Sequence, residues 1–208
     1  KDIYTAAAVG AAAHIIPKKD FMFPSLLLQY LRERGVTALV WATSAFHLLA
    51  NSGALEPGCL PALRTVIPGG EALRAKQLNI WRKSYPNALY ANLYGPTEIT
   101  DVCAYYIVDR EFADDESLPI GFPCKNTDII VLDDDNKLVP PSTADVKGEL
   151  CVRGTCNSFG YYNNPEKTST KSTTKSSTVP AMWFTTTSGA KSCTTRARTF
   201  RLSTWVTA

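Results

Sequence analysis

The last forty of the 208 residues contain no Asp or Glu. They hold three Lys and three Arg, and removing those six charges turns the net +3 of the chain into −3 for residues 1–168. The basic balance therefore belongs to the tail, and no nucleic-acid partner is expected. Histidine is scarce: His14 and His47 both lie within apolar stretches. The six cysteines, Cys59, Cys103, Cys124, Cys151, Cys156 and Cys193, form no Cys-x-x-Cys pair, and none sits beside a His at metal spacing. That pattern argues against a zinc or disulfide framework and reads as packing in a reducing cytoplasm. No apolar run approaches the roughly 18 residues of a membrane helix, so no membrane partner is expected either. The chain opens Lys1-Asp2-Ile3, with no initiator Met and no signal peptide, and reads as an internal piece of something longer.

What is present is apolar enough to fold: 45% of the residues are hydrophobic. The pattern predicts a helix over residues 1–9 and a short buried strand at His14–Pro17. A helix follows from Pro24 to about Gly35, its apolar face Leu27, Tyr30 and Leu31. Thr37–Trp41 reads as a strand buried on both faces. Thr43 or Ser44 is placed to cap a helix carrying Phe46, Leu48 and Leu49. Arg64–Ile67 is the next strand, Gly69-Gly70 a turn, Glu71–Ser84 a helix, and Ala88–Leu93 a further strand. Strands alternating with helices imply an α/β fold, a mostly parallel sheet flanked by helices, over residues 1–102.

From residue 103 to 168 the style is β-rich. Cys103–Val108, Asp128–Leu132 and Glu149–Val152 read as strands without helices between them, and Asp133-Asp134-Asp135-Asn136 as a turn. This predicts a small barrel-like subdomain. From Ser169 the composition changes again, since nineteen of the last forty residues are Ser or Thr and the apolar residues have no period. Residues 169–208 are expected to form no packed core.

The richest chemistry lies in Asn92-Leu93-Tyr94-Gly95-Pro96-Thr97-Glu98. It follows a strand. Gly95 permits close backbone approach and Pro96 fixes a turn. Tyr94 offers a ring for stacking on a base, Thr97 a hydroxyl for a phosphate oxygen, and Glu98 a hard oxygen for Mg²⁺. At the C-terminal end of a strand these make a nucleotide corner. They also make an ordinary turn with a surface Glu, and composition alone leaves both readings open.

The segment resembles the Asn-x-Tyr-Gly-Pro-Thr-Glu signature of the adenylate-forming (AMP-dependent synthetase) family at every fixed position. Ile67-Pro68-Gly69-Gly70-Glu71-Ala72-Leu73 resembles the glycine turn that precedes it. Leu118–Pro123 is similar to the family's Pro-Ile-Gly-x-Pro link. Gly148–Gly154, running on through Gly160-Tyr161 to Pro165–Thr168, resembles its Gly-Glu-Leu…Gly-Tyr…Pro-x-x-Thr motif. Within the family the chain looks most like an amino-acid adenylation domain, similar to D-alanine:carrier-protein ligase or to those of nonribosomal peptide synthetases.

The resemblance implies ATP and Mg²⁺ as cofactors. It also implies a carboxylate substrate, most often an amino acid, activated as its acyl-adenylate. The thiol acceptor it implies is a phosphopantetheine-bearing carrier protein, with coenzyme A as the alternative. By the resemblance, Tyr94 stacks on adenine, Asn92 meets its exocyclic amine, and Gly69, Gly70 and Glu71 line its side through backbone atoms. Gly95 belongs to the same nucleotide-binding turn, Thr97 contacts the α-phosphate and Glu98 holds the metal. Val40, Ile67, Gly69, Leu93, Asp101 and Val102 are the expected substrate-facing positions. Asp101 would favour a substrate ammonium or hydroxyl there, and as a solvated strand-end Asp would do neither.

Four family features do not appear in the sequence: the Gly/Ser/Thr-rich phosphate loop, the pocket Asp that pairs with an amino acid's α-ammonium, the Thr-Gly-Asp motif and the C-terminal lysine domain. Where Thr-Gly-Asp is due, Phe184–Ala190 has no carboxylate, the pattern a change of reading frame leaves. Three functions are carried forward: a fragment of an amino-acid-activating ligase, a fragment of an acyl- or aryl-CoA synthetase, and an inert or nucleotide-binding-only piece.

Overall fold

A computed structural model describes residues 2–140, 148–170 and 197–201. They divide into two compact units, one of residues 1–91 with 108–115, the other of 92–107 with 116 onward. The division falls within a strand, ahead of the change of pattern read at residue 102.

In the first unit, helices α1 (Asp2–Ala8), α2 (Lys18–Phe21) and α3 (Pro24–Glu33) precede strand β1 (Ala38–Ala42). Helix α3 begins on Pro24, whose missing N–H costs nothing in a first turn, and buries Leu27, Leu28 and Leu31. Helix α4 (Thr43–Asn51) and strand β2 (Thr65–Gly69) follow, then helix α5 (Ala75–Ser84) and the start of strand β3 (Leu89–Tyr94). The strand order here is β1-β2-β3. β1 and β2 run parallel, with Leu39 opposite Val66 and Val40 opposite Ile67. The core centres on Trp81, fully buried, which stacks on Phe46 at 4.9 Å and donates its indole N–H to the Phe46 carbonyl at 3.1 Å. Burying an indole with its one donor satisfied gains its full apolar area without an orphaned N–H.

Residues 108–115 complete this unit. Val108 N–H donates to the Tyr90 carbonyl, the Asn79 amide to Phe112 O and Asp114 Oδ1, and the Arg82 guanidinium to Arg110 O. The Arg110 guanidinium lies 3.7 Å over the buried Phe112 ring.

The second unit takes the end of β3, with β4 (Ala104–Ile107) and β5 (Phe122–Pro123) in the order β3-β4-β5. β4 and β5 are antiparallel. A second sheet has the order β6-β7-β8, formed by β6 (Thr127–Leu132), β7 (Glu149–Gly154) and β8 (Ala197–Arg201), all antiparallel. Helix α6 (Pro165–Thr170) lies between β7 and β8 in the chain. The core of this unit joins Tyr94, Ile99, Cys103, Ala104 and Ile120 to Ile129, Leu150 and Val152. The Asp133 turn forms as read: Asp133 Oδ1 accepts from the N–H of Asp135 and of Lys137, and Asn136 adopts a φ of 60°. The fold is thus α/β, with a mainly parallel sheet flanked by helices and a small second sheet.

Four expectations change in detail. His14–Pro17 is not a strand: Ile15 is 81% exposed and α2 begins at Lys18. Apolar character alone cannot make a strand without a ladder partner, and Pro17 has no N–H to give one. β1 is not buried on both faces, since only Leu39 is. Thr43 does not cap α4. Ala42 is the extended N-cap residue, and the fully buried Thr43 hydroxyl donates to the Glu71 carbonyl at 3.0 Å. Helix α5 starts at Ala75 rather than Glu71, because Gly70 turns at φ 92° and Arg74 is still extended. The five described cysteines are free thiols. Apart from residues 169–170 in α6 and 197–201 in β8, the Ser/Thr-rich tail lies outside the described residues, Cys193 and Phe184–Ala190 included.

Candidate nucleotide-binding turn

β3 alternates poorly because Ala91, Asn92 and Tyr94 are all buried. Asn92 is 0% exposed and donates its side-chain amide to the Pro119 carbonyl at 2.9 Å. A carbonyl only accepts, so the amide nitrogen faces Pro119 and the side-chain oxygen faces away. That oxygen is buried without a hydrogen-bond partner among the described residues. An orphaned acceptor of this kind costs about 1–3 kcal/mol, so its persistence calls for an explanation such as a ligand donor.

Tyr94 is 5% exposed and sits within the core of the second unit. Burial raises its hydroxyl pKa above the ordinary phenol range, with Cys103 and Glu98 adding to the effect. The ring offers a wall to a ligand rather than an open platform. Cys103, in the same core, is fully buried, and burial pushes its thiol up to about 12, which keeps it protonated and unreactive at neutral pH.

The chain then turns. A Cβ on Gly95 would fall on the carbonyl oxygen of Asp101, and Asp101 itself adopts φ 63°. The loop's own closure therefore requires a glycine at this position. Thr97 is exposed at the tip and Glu98 is 9% exposed behind it. The loop is stitched to a later segment: Thr100 N–H donates to Cys156 O, Ser158 N–H to Glu98 O, and Ile99 bridges Asn157 antiparallel. Glu98 Oε1 accepts the Tyr161 hydroxyl at 2.6 Å. That hydrogen bond is the main reason the Tyr161 pKa is raised, ahead of burial and the Glu98 charge.

The sequence reading gave Tyr161 and Ser158 no site role. The signal that could have drawn attention to Tyr161 was its place in the Gly-Tyr stretch of the last motif; Ser158 lies outside it. The structure brings Asn92, Leu93, Tyr94, Gly95, Thr97, Glu98, Asp101 and Val102 into one strand end and turn, with Leu93 and Val102 half-buried and Asp101 exposed. In the first unit, Val40 and Ile67 are register partners on a half-buried face, and Gly69 pairs with Ala42. Gly70 and Glu71 follow at the exposed end of β2, with the Glu71 carbonyl held by Thr43. Nearby, burial and then Arg74 lower the His47 pKa, partly offset by Glu71, and the Arg74 N–H donates to His47 Nε2.

A mainly parallel α/β sheet with an Asn-x-Tyr-Gly-Pro-Thr-Glu turn at a strand end defines an adenylate-forming enzyme core. Residues 1–162 match the family of AMP-binding enzymes, and the chain belongs to it. It is 34% identical over 173 residues to bacitracin synthase 3 of Bacillus licheniformis, covering 81% of this chain and 3% of that protein. It is 36% identical over 169 residues to an L-proline--[L-prolyl-carrier protein] ligase of Streptomyces coelicolor, covering 80% of this chain and 31% of the ligase. Among solved structures it is similar to CmiS6, with TM-score 0.70 and 29% identity over 80% of this chain and 39% of the other. It is also similar to PA1221, an NRPS protein containing adenylation and PCP domains, with TM-score 0.58 and 28% identity over 70% of this chain and 28% of that one. The chain thus spans between 3% and 31% of these two curated relatives.

Proposed function

We propose that the chain supplies the nucleotide-binding turn of an ATP-dependent ligase that activates an amino acid as its acyl-adenylate for transfer to a carrier-protein thiol. The observation that carries this reading is the turn itself: a buried acceptor on Asn92, a hydroxyl on Thr97 and a buried carboxylate on Glu98, in that order along one strand end. Likeness to a carrier-protein ligase supports the amino-acid and carrier side.

In the reaction a substrate carboxylate oxygen attacks the α-phosphorus, and pyrophosphate leaves with the bonding electrons. The orphaned Asn92 oxygen would accept the adenine amine, Tyr94 would wall the base, and Thr97 would donate to an α-phosphate oxygen. Gly69, Gly70 and Glu71 would line the adenine, and Val40, Ile67, Gly69, Leu93, Asp101 and Val102 the acid.

Mg²⁺ fits the donor set in a limited form. Glu98 is a single buried carboxylate, and no group of three or more His, Cys, Asp or Glu side chains among the described residues could cage an ion. One carboxylate together with nucleotide phosphates is the way Mg²⁺ is ordinarily held. Bound there, the ion would neutralise phosphate charge.

The test places residues 1–162 in the matching stretch of the prolyl-carrier-protein ligase and measures exchange of labelled pyrophosphate into ATP. Amino-acid-dependent exchange, reduced about 10²-fold or more by Glu98→Gln, is expected. Activity with acyl or aryl acids and coenzyme A instead would favour the CoA-synthetase reading. ATP binding without exchange for any acid would leave a nucleotide-binding-only fragment.

A further inference from the structure

We infer that Tyr161 is a positioning residue for the Glu98 carboxylate, holding it in the orientation in which it meets a divalent cation. The inference rests on the metal reading of Glu98 given above. The side chains lie 63 residues apart in sequence and 2.6 Å apart in space.

Everything around Tyr161 fixes where its hydroxyl points. Asn164 caps the short helix α6, its side-chain oxygen accepting the Lys167 N–H at 2.9 Å ahead of Pro165. That helix presents Thr168, whose hydroxyl accepts the Tyr161 N–H at 3.0 Å. The same hydroxyl donates to the Asn164 carbonyl at 2.8 Å. A Cβ on Gly160 would run into Thr168, so the chain can pass the helix this closely only at a glycine, here at φ 147°. The Lys167 ammonium lies 4.1 Å over the Tyr161 ring. One face of the ring, its backbone and its hydroxyl are therefore each held by a separate contact. On the other side, the Ser158 N–H donates to the Glu98 carbonyl, which ties the Glu98 backbone to the chain three residues before Tyr161.

This is more fixation than a surface tyrosine needs. It matches the outer-shell role, in which a hydrogen bond orients a ligating carboxylate. Losing such a partner typically costs about 10- to 100-fold in metal affinity.

The experiment uses the 208-residue chain with Mn²⁺ as the probe and ATP present at a fixed, saturating concentration. Mn²⁺-induced broadening of the Thr97 and Glu98 amide NMR signals is titrated in the wild type, Tyr161→Phe, Glu98→Gln and the double variant. Tyr161→Phe keeps the ring and its Lys167 contact. It is expected to weaken Mn²⁺ about tenfold with an unchanged melting temperature. Glu98→Gln should weaken it at least as much, and the double variant no further, which is the coupling expected of one unit. Should the Phe variant melt lower, Thr168→Ala loosens the same tyrosine from its backbone side and must weaken Mn²⁺ in the same direction. Weakening by Glu98→Gln with none by Tyr161→Phe overturns the positioning role and leaves the metal reading standing. No effect of Glu98→Gln, or no broadening in the wild type, overturns the metal reading and this inference with it.

Discussion

Gly95 and the carbonyl of Asp101 occupy the two ends of one closed loop, so near that no side chain could stand at residue 95. Asp101 reaches that position at φ 63°, in the left-handed region that Asp tolerates better than most L-residues. Gly95→Ala should therefore cost about 1–3 kcal/mol through backbone displacement. Urea unfolding monitored by tryptophan fluorescence should show a lower midpoint with an unchanged slope. A midpoint equal to that of the wild type would mean the loop has room that its geometry denies.

Tyr94 separates two kinds of effect. Its ring belongs to the core of the second unit, so Tyr94→Ala leaves a cavity, with an expected loss of about 3–5 kcal/mol as for other large aromatic truncations. Tyr94→Phe keeps the volume and should unfold within about 1 kcal/mol of the wild type; on the proposed nucleotide reading, in which the ring rather than the hydroxyl meets the base, its ATP affinity should change little. Unfolding curves and ATP titrations of both variants check this. Full stability in the Ala variant would contradict the packing described.

The lone acceptor on Asn92 predicts a base preference. Adenine offers an amine where guanine offers a carbonyl, so ATP should bind better than GTP. Asn92→Leu removes the orphaned oxygen and should narrow the ratio by about fivefold, the worth of one hydrogen bond near 1 kcal/mol. Competition against a fluorescent ATP analogue measures it. A GTP preference in the wild type would reverse the assignment of the side-chain oxygen.

His47 gives a pH dependence with a definite sign. Its folded pKa is lowered from 6.5, first by burial and then by Arg74. As pH falls through 6.5, the unfolded chain takes up a proton that the folded chain resists, so stability present above pH 6.5 is lost below it. The loss levels off once pH passes beneath the folded value. Melting temperatures between pH 7.5 and 5 should fall more steeply in the wild type than in His47→Gln. Coincident slopes would show that His47 is not the group responsible.

Much of the fold could be read from local pattern. Leu27 and Leu31 one turn apart, Phe46 and Leu49 on one helical face, and the Asp133–Asn136 turn all express themselves within a few residues. The candidate turn was legible where it is contiguous, from Asn92 to Glu98. It was not legible where partners come from afar. Nothing near Tyr94 says that it shares a core with Ile129, Leu150 and Val152, and nothing near Glu98 names Tyr161. Thr43 shows the same limit in reverse. Local rules read it as a helix cap, and a carbonyl 28 residues away took its hydroxyl instead.

Residues 108–115 return to the first unit after the chain has already begun the second. On a ribosome this order matters. When Ala91 emerges, the Asn79 amide has neither the Phe112 carbonyl nor Asp114 to bind, the Arg82 guanidinium lacks the Arg110 carbonyl, and no Phe112 ring lies in its buried position. The first unit gains these contacts only after the intervening strands, and then this strap, have followed it out of the ribosome. A nascent chain arrested with Ala91 just clear of the exit tunnel should be open to protease attack at α5, and one arrested after the strap has also cleared it should not.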